Sequence, residues 1–316
     1  MTRVAVLKGG RSLERQVSLR SGARVEDALG RLGHEVAPID VGHDLVDDLR
    51  AAAPDVAFVA VHGADGEDGT VQELLELLGI PYTGSGPAAC VRCWDKAVAK
   101  HAFADAGIPT PAFFSLGESA FRELGAAKAL PDLEARLGLP LVVKPARQGS
   151  ALGVRVAGSA SAVPGALMHA ASYDDRVLLE RWIEGRDLAV SVLEGPDGPR
   201  ALPVVEAIPE GDAYDFGARY EIGSTHFECP AALDEDVSAR AQGLALHVWE
   251  LLGCRGVARV DLMLDEETGE LWVLEANTVP GLTATSLLPL AAEAADIDFD
   301  ALIARLVDLA LARAPA

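Results

Sequence analysis

The first 86 residues alternate apolar, strand-like runs with helix-like ones, and this restricts the fold more than any other feature. RVAVLKGG reads as a strand entering a glycine turn, VSLRSGARVEDALGRLG as a helix ending at Gly33, HEVAPIDV as a strand and DLVDDLRAAA as a helix. DVAFVAVHG, VQELLELLG and IPYTGSG continue as strand, helix, and short strand with turn. Strands separated by helices predict a parallel sheet with helices on both faces. Chemistry on such a sheet collects at the strand C-termini. Two of those ends carry polar, glycine-containing loops, KGGRSLER (Lys8 to Arg15) and HGADGEDG (His62 to Gly69).

From about Trp94 the texture changes. The helix DKAVAKHAFADAG leads into the extended IPTPAFFSL, and LPLVVKPARQGSALGV reads as strand, Gly-Ser loop and strand. RVLLERWIEGRDLAVSVLEG reads as two strands joined at Glu184-Gly185, in a stretch without full crossover helices that predicts antiparallel pairing. The remainder holds PRALPVVEAI, a polar segment from Pro209 to Pro230, the helix AQGLALHVWELLG, two further strands and the helix IARLVDLALARA. The changes of texture predict domain boundaries near residues 95 and 187.

The two late strands, VARVDLML (Val257 to Leu264) and VLEAN (Val273 to Asn277), are joined by the polar turn Asp265 to Glu270. A register placing Asp261 opposite Glu275 places Arg259 opposite Asn277. All four then share one face, with Val260, Leu262, Leu264, Trp272, Leu274 and Ala276 on the other. Two carboxylates directly opposite repel, so a positive charge belongs between them. Arg259 in a salt bridge is one candidate and a divalent cation the other. The available ligand atoms are all oxygen, which suits Mg2+ or Mn2+ and not zinc.

Composition narrows the partners. A net charge of -21 argues against nucleic acid. Charges interrupt every long apolar stretch, so no membrane span is expected. MTRVAVLKGGRS reaches its glycine turn too early for a signal-peptide core, which predicts a cytoplasmic protein. Cys90-Val-Arg-Cys93 has redox-motif spacing but no second pair, and reads as two reduced thiols on one helical turn.

Several smaller features carry chemistry only together. Lys144 ends a strand just before Arg147 to Gly153, a lysine beside a glycine loop that suits phosphate although GxxxxGK[ST] is absent. Lys96 follows Trp94-Asp95 on a helix. Glu180 closes an apolar strand, where a buried carboxylate needs a donor, and Asp187 follows. Glu14, after Gly9-Gly10, is either an acceptor for an ammonium group or a helix N-terminal charge. His62 ends an apolar strand and either meets a carboxylate or is structural.

The stretches GGRSLERQVSLRSG, VHGADGEDGTVQELLELLGIPYTGSG, DKAVAKHAFADAGIPTP, PLVVKPARQGSALGV, LLERWIEGRDL, YDFGARYEIGSTHFECPA, GCRGVARVDLMLD and LEANTVPGLTATSLLP run nearly end to end. In them the chain resembles the D-alanine–D-alanine ligases of the ATP-grasp superfamily. The resemblance implies an α/β and α+β chain. An N-terminal parallel-sheet domain (1–95) binds substrate, and two antiparallel-sheet domains (96–187 and 188–316) clasp ATP, with a lid at about 209–230.

The same resemblance implies the site. Asp261, Glu275 and Asn277 bind two Mg2+ or Mn2+ ions. Lys96, Lys144 and the Gly149 to Gly153 loop, with Ser150 and Ala151, meet the ATP phosphates, and Arg219 on the lid addresses the γ-phosphate. Glu180 takes the adenine amino group, with the backbone of Arg181, Trp182 and Ile183 nearby, and Asp187 takes the ribose. Glu14 binds the first D-alanine and links through Ser150 to Tyr220, with His62 near that substrate's carboxylate. Arg259, Gly281, Ser286 and Leu287 hold the second D-alanine and the oxyanion. Homodimers are implied as well. Asp187 stands where the family usually has Glu, Arg219 where Lys is common, and Ala151 where a second Ser is common. The alternative functions are a related ligase with a D-lactate or specialised amino-acid acceptor, a nucleotide-binding regulator, and a carboxylate-metal hydrolase.

Overall fold

The computed structural model describes residues 1–209 and 225–313. Three sheets organise them. Strands β1 (Arg3–Lys8), β2 (Glu35–Asp40) and β3 (Val56–Val59) pair in parallel in the order β2-β1-β3, and Tyr82 adds an isolated parallel bridge at Ala57. The intervening helices Arg15–Arg31, Leu45–Ala52 and Thr70–Leu78 follow the expected alternation.

A four-stranded antiparallel sheet contains β4 (Phe113–Gly117), β5 (Leu141–Pro145), β6 (Arg155–Ala157) and β7 (Arg176–Arg181), in the order β4-β7-β5-β6. Its own core includes Leu141, Val143, Val177 and Leu179 beneath the helices Leu130–Leu137 and Val163–Ala171. The larger antiparallel sheet runs β11-β10-β8-β12-β13, with β9 paired to β8. Its strands are β8 (Gly185–Gly195), β9 (Gly198–Ala201), β10 (Val205–Pro209), β11 (Thr225–Glu228), β12 (Val257–Asp265) and β13 (Leu271–Asn277).

Two expectations change here. The segments joined at Glu184-Gly185 are not hairpin partners: β7 lies in the four-stranded sheet and β8 in the larger one. The polar segment from Pro209 to Pro230 contains β11, paired with β10, while its residues 210–224 lie outside the described residues. The turn with Cys90 and Cys93 lies in the helix Pro87–Trp94, and the helix Lys96–Asp105 follows it. Asp95 caps the second through the amides of Ala97 and Val98. Cys93 faces Cys254 at 3.8 Å across that packing, and all four cysteines are free thiols.

Strand β8 is buried on both faces, which explains its nearly unbroken apolar run. Leu188, Val190 and Val192 face the core beneath the helix Glu235–Leu252, while Ala189 and Leu193 face Val4, Val6 and Phe58 of the N-terminal sheet and the helix Phe299–Ala312. On β12, Val260, Leu262 and Leu264 lie in the first of these cores. Alternation therefore points Arg259 and Asp261 toward the N-terminal sheet.

The β12–β13 register places Asp261 opposite Glu275 and Arg259 opposite Asn277, as expected. The apolar face of β13 is not as expected. Between Asp261 and Leu262 the pairing jumps from Glu275 to Val273, so Leu274 forms a bulge. Leu271, Val273 and Ala276 consequently fill the core, and Trp272 and Leu274 do not. The bulge lets Val273 and Glu275, two residues apart and so on the same face of a regular strand, serve the core and the cleft within one short strand.

This packing predicts unequal losses from two leucines. Leu262→Ala should lower the unfolding free energy by about 2–5 kcal/mol, as large-to-small core changes do. Leu274→Ala, outside the core, should lower it clearly less. Urea denaturation of both variants measures the difference.

Candidate active site

The loops after β1 and β3, the start of the helix Lys96–Asp105, the Gly149 loop and the ends of β12 and β13 converge on one cleft. Its lining includes Glu67, Lys96, Gly149, Glu275 and Asn277. Charge pairing dominates the geometry. Arg259 donates from Nε to Asp261 Oδ1 at 2.6 Å and from Nη2 to Oδ2 at 2.8 Å, a bidentate pair between two buried side chains. Lys96 Nζ lies 3.1 Å from Glu275 Oε2 and donates to the Gln148 carbonyl at 2.5 Å. The two facing carboxylates are thus neutralised by separate cations. Asn277 Oδ1 accepts from the Val279 amide at 2.8 Å, and its Nδ2 donates to Glu67 Oε2 at 3.4 Å.

Glu180, 2% exposed, lies between two lysines. Lys144 donates to its Oε1 at 2.8 Å, and Lys100 Nζ sits 2.6 Å from Oε2. The Lys100 ammonium is the one group among the described residues that meets Oε2, and it does so as a close ion pair. Burial alone would raise this carboxyl, but Lys100 and Lys144 together hold it below its ordinary value. Beyond it, the Arg181 amide donates to Ala112 O at 2.9 Å and the Trp182 amide to Pro140 O at 3.4 Å. Ile183 is buried, and Asp187 lies on β8 opposite Met263.

Glu14 caps the helix Arg15–Arg31 in sequence, yet its side chain makes no capping bond. The carboxylate is buried, with Oε1 accepting from Ser150 Oγ and Oε2 without a hydrogen-bond partner among the described residues. Burial, then the charge of Glu67, push its pKa to about 7, against the Ser150 hydrogen bond and the charges of His62 and Lys96. The surrounding backbone comes very close. A Cβ at Gly149 would lie 2.7 Å from Glu14 Oε2, and one at Gly63 2.8 Å from the same atom. Ser150 and Ala151 adopt φ of 52° and 56°, the left-handed region that non-glycine residues enter mainly at special sites.

His62 is occupied structurally. Nδ1 donates to the Val279 carbonyl at 3.1 Å, and Nε2 takes the Ser21 hydroxyl at 2.9 Å. The carbonyl can only accept, which fixes the proton on Nδ1. Ser286 Oγ accepts from the Thr283 amide at 3.0 Å, and a Cβ at Gly281 would lie 2.7 Å from that oxygen. The Leu287 side chain lies in the apolar core. Tyr220 and Arg219 fall outside the described residues.

Sequence reasoning missed Glu67 and Lys100. Glu67 sits in a loop singled out for its glycines, but its partners are Gly63 and the distant Asn277. Lys100 follows Lys96 by four residues and so shares its helix face, the one signal that marked it.

A parallel-sheet lobe followed by two antiparallel sheets around a cleft of acids and lysines is the architecture of an ATP-grasp ligase. Residues 43–85 match the family model for the D-ala D-ala ligase N-terminus, and residues 102–308 that for the D-ala D-ala ligase C-terminus. The chain is 43% identical over 305 residues to a D-alanine–D-alanine ligase of Syntrophotalea carbinolica, covering 96% of this chain and 95% of that one. It is 42% identical over 316 residues to one of Gloeobacter violaceus, covering 98% and 99%. Crystal structures of the D-alanine–D-alanine ligase from Bacillus anthracis superpose with a TM-score of 0.85 at 33% identity, and 0.82 at 32% for the complex with ATP. Each comparison covers 99% of this chain and 98% of the other. The chain belongs to the D-alanine–D-alanine ligase family.

The Glu14 environment predicts a pH dependence. Its folded carboxyl titrates at about 7, above the ordinary 4.5. Between those values the folded state keeps a proton that the unfolded state has released, so this group's contribution to stability is lost as pH rises through the window. Glu14→Gln keeps the Ser150 contact without the charge. It should melt close to the unmodified protein near pH 5 and be more stable near pH 8, by roughly 3 kcal/mol at most. Thermal unfolding of the ligand-free proteins across that range checks it.

Proposed function

We propose that this protein joins two D-alanines into D-alanyl-D-alanine at the expense of ATP, through an acyl phosphate, in the supply of peptidoglycan precursors. The observation that carries the reading is a pair of buried carboxylate oxygens with acceptor capacity to spare: Glu14 Oε2 accepts no hydrogen bond among the described residues, and Glu180 Oε2 meets only the Lys100 ammonium there. Each suits an N–H donor of a substrate: the ammonium of the first D-alanine at Glu14 and the adenine amino group at Glu180.

In this reading three regions cooperate: residues 1–95 present the first D-alanine, 96–187 the nucleotide, and 188–316 the second amino acid, with a lid at about 209–230 that includes Arg219 and Tyr220. The first D-alanine carboxylate attacks the γ-phosphate, forming an acyl phosphate and ADP. The amine of the second D-alanine then attacks the acyl carbon, and inorganic phosphate leaves. Lys96, Lys144 and the Gly149 to Ala151 loop orient the phosphates, and Asp187 the ribose. Arg259 and the Gly281 amide hold the carbonyl oxygen as it gains charge, with Ser286 and Leu287 framing the second substrate. His62 positions the loop beside Glu14. The all-oxygen set of Asp261, Glu275 and Asn277 fits Mg2+ or Mn2+, two ions by resemblance, which when bound neutralise charge on the transferring phosphoryl group. Homodimer assembly and a cytoplasmic location belong to the same reading. No helix among the described residues is long and apolar enough to cross a membrane.

Incubation with MgATP and a panel of D- and L-amino acids and hydroxy acids tests the activity through phosphate release and product mass. D-alanyl-D-alanine should dominate at neutral pH. Preferential ester formation with D-lactate would instead favour a ligase with a different acceptor. Two substitutions test the roles. Glu275→Gln should reduce turnover by orders of magnitude while cooperative melting is retained. Arg259→Lys cannot reproduce a planar, two-point donor and should reduce ligation by on the order of 10²–10³, with ATP binding nearly unchanged in a calorimetric titration.

A further inference from the structure

We propose that Lys100 is a positioning residue of the nucleotide site: it is the fixed counter-ion of Glu180 and so lets Lys144 leave that carboxylate for the phosphates of ATP. This rests on the reading that Glu180 and Lys144 serve ATP.

Glu180 has two cations where one would neutralise it, and they differ in freedom. Lys144, near the end of β5 and just before the Gly149 loop, keeps 7% exposure, whereas Lys100 is 0% exposed. Lys100 is also tethered on its far side. Its Nζ donates to Thr110 Oγ1 at 2.5 Å, and Thr110 donates to the Val273 carbonyl at 2.8 Å. The Val273 amide in turn donates to Pro109 O at 2.8 Å. Lys100 therefore stands between β7 of one sheet and β13 of the other, with the Phe113 ring 5.1 Å away. The charges bearing on it are Glu180, Lys144 and, farther off, Glu275.

The consequence follows from burial. If Lys144 turns to a phosphate, a buried Glu180 with no second cation is stranded, which is strongly unfavourable. With Lys100 in place the charge stays matched. Lys100 Nζ engages Oε2 from one side at 2.6 Å, and a carboxylate oxygen has two lone pairs, so Oε2 keeps acceptor capacity for an amino group. Burial brings Lys100 down to about 8, aided by Lys144 and opposed by Glu180, so it is predominantly charged at neutral pH.

A double-mutant cycle in the full-length protein tests this, with phosphate release at varied ATP and, separately, varied D-alanine as the readout. Lys100→Met should pin Lys144 on Glu180, raising KM for ATP and lowering kcat by about tenfold or more, with KM for D-alanine little changed. Lys100→Met combined with Glu180→Gln should be no worse than Glu180→Gln alone, since without the carboxylate the counter-ion has no task. A merely structural lysine would lower the melting temperature and leave kcat and KM for ATP in place, which overturns the proposal. Equal fractional losses from Lys100→Met in both backgrounds overturn it too. If Lys100→Met does not fold, the comparison of Glu180→Gln with the double variant still decides, because neither strands a carboxylate. Lys144→Ala separates the two layers. No effect on ATP binding or turnover would overturn the nucleotide reading and this inference with it. A clear loss there, beside an additive cycle, would overturn the role of Lys100 alone.

Discussion

A carboxylate removed from water must be matched by a cation or give up its charge, and the site is arranged around that requirement. Asp261 is matched by Arg259, Glu275 by Lys96, and Glu180 by Lys100 and Lys144. Among the described residues Glu14 has no such ion pair, and its carboxyl moves toward the protonated form. Arg259 and Asp261 share β12, and Lys144 and Glu180 lie on neighbouring strands, but the other two pairings join separate parts of the fold. Lys96 and Lys100 lie on one helix, yet their partners are on β13 and β7, in different sheets. The Lys96–Glu275 and Lys100–Glu180 pairs therefore tie one helix to both sheets. In a chain with 48 Asp and Glu against 27 Lys and Arg, four of the basic residues are committed to this one buried region.

Much of this was legible beforehand, for physical reasons that can be named. The N-terminal sheet was readable because helix and strand periods differ clearly. The β12–β13 register was readable because one alignment brought all the polar residues to a single face. The bulge was not, since Val273 and Leu274 are both aliphatic and alternation cannot tell which one turns inward. Family likeness supplied the roles at the site, and the geometry adds what likeness did not: Lys144 rests on Glu180, and both ring nitrogens of His62 are engaged by the scaffold.

Lys100 and Glu67 stayed hidden for a shared reason. A lysine on an alanine-rich helix and a glutamate in a glycine-rich loop are unremarkable until the chain folds distant partners onto them. For Lys100 the partner is Glu180. For Glu67 it is Asn277, 210 positions away. Long-range burial of charge has no local signature in sequence, so it emerges only when sheets from different parts of the chain meet.

The bulge in β13 bears on how the chain can change length. Losing one residue from an ordinary strand turns every side chain beyond the loss to the opposite face. At Leu274 the ladder already skips a residue: Glu275 pairs with Asp261, and Val273 with Leu262. Removing that one position would join two segments that are already in phase with β12. A deletion there would flatten the strand without exchanging its acidic and apolar faces, so the two halves of β13 can drift in length separately from what each of them does.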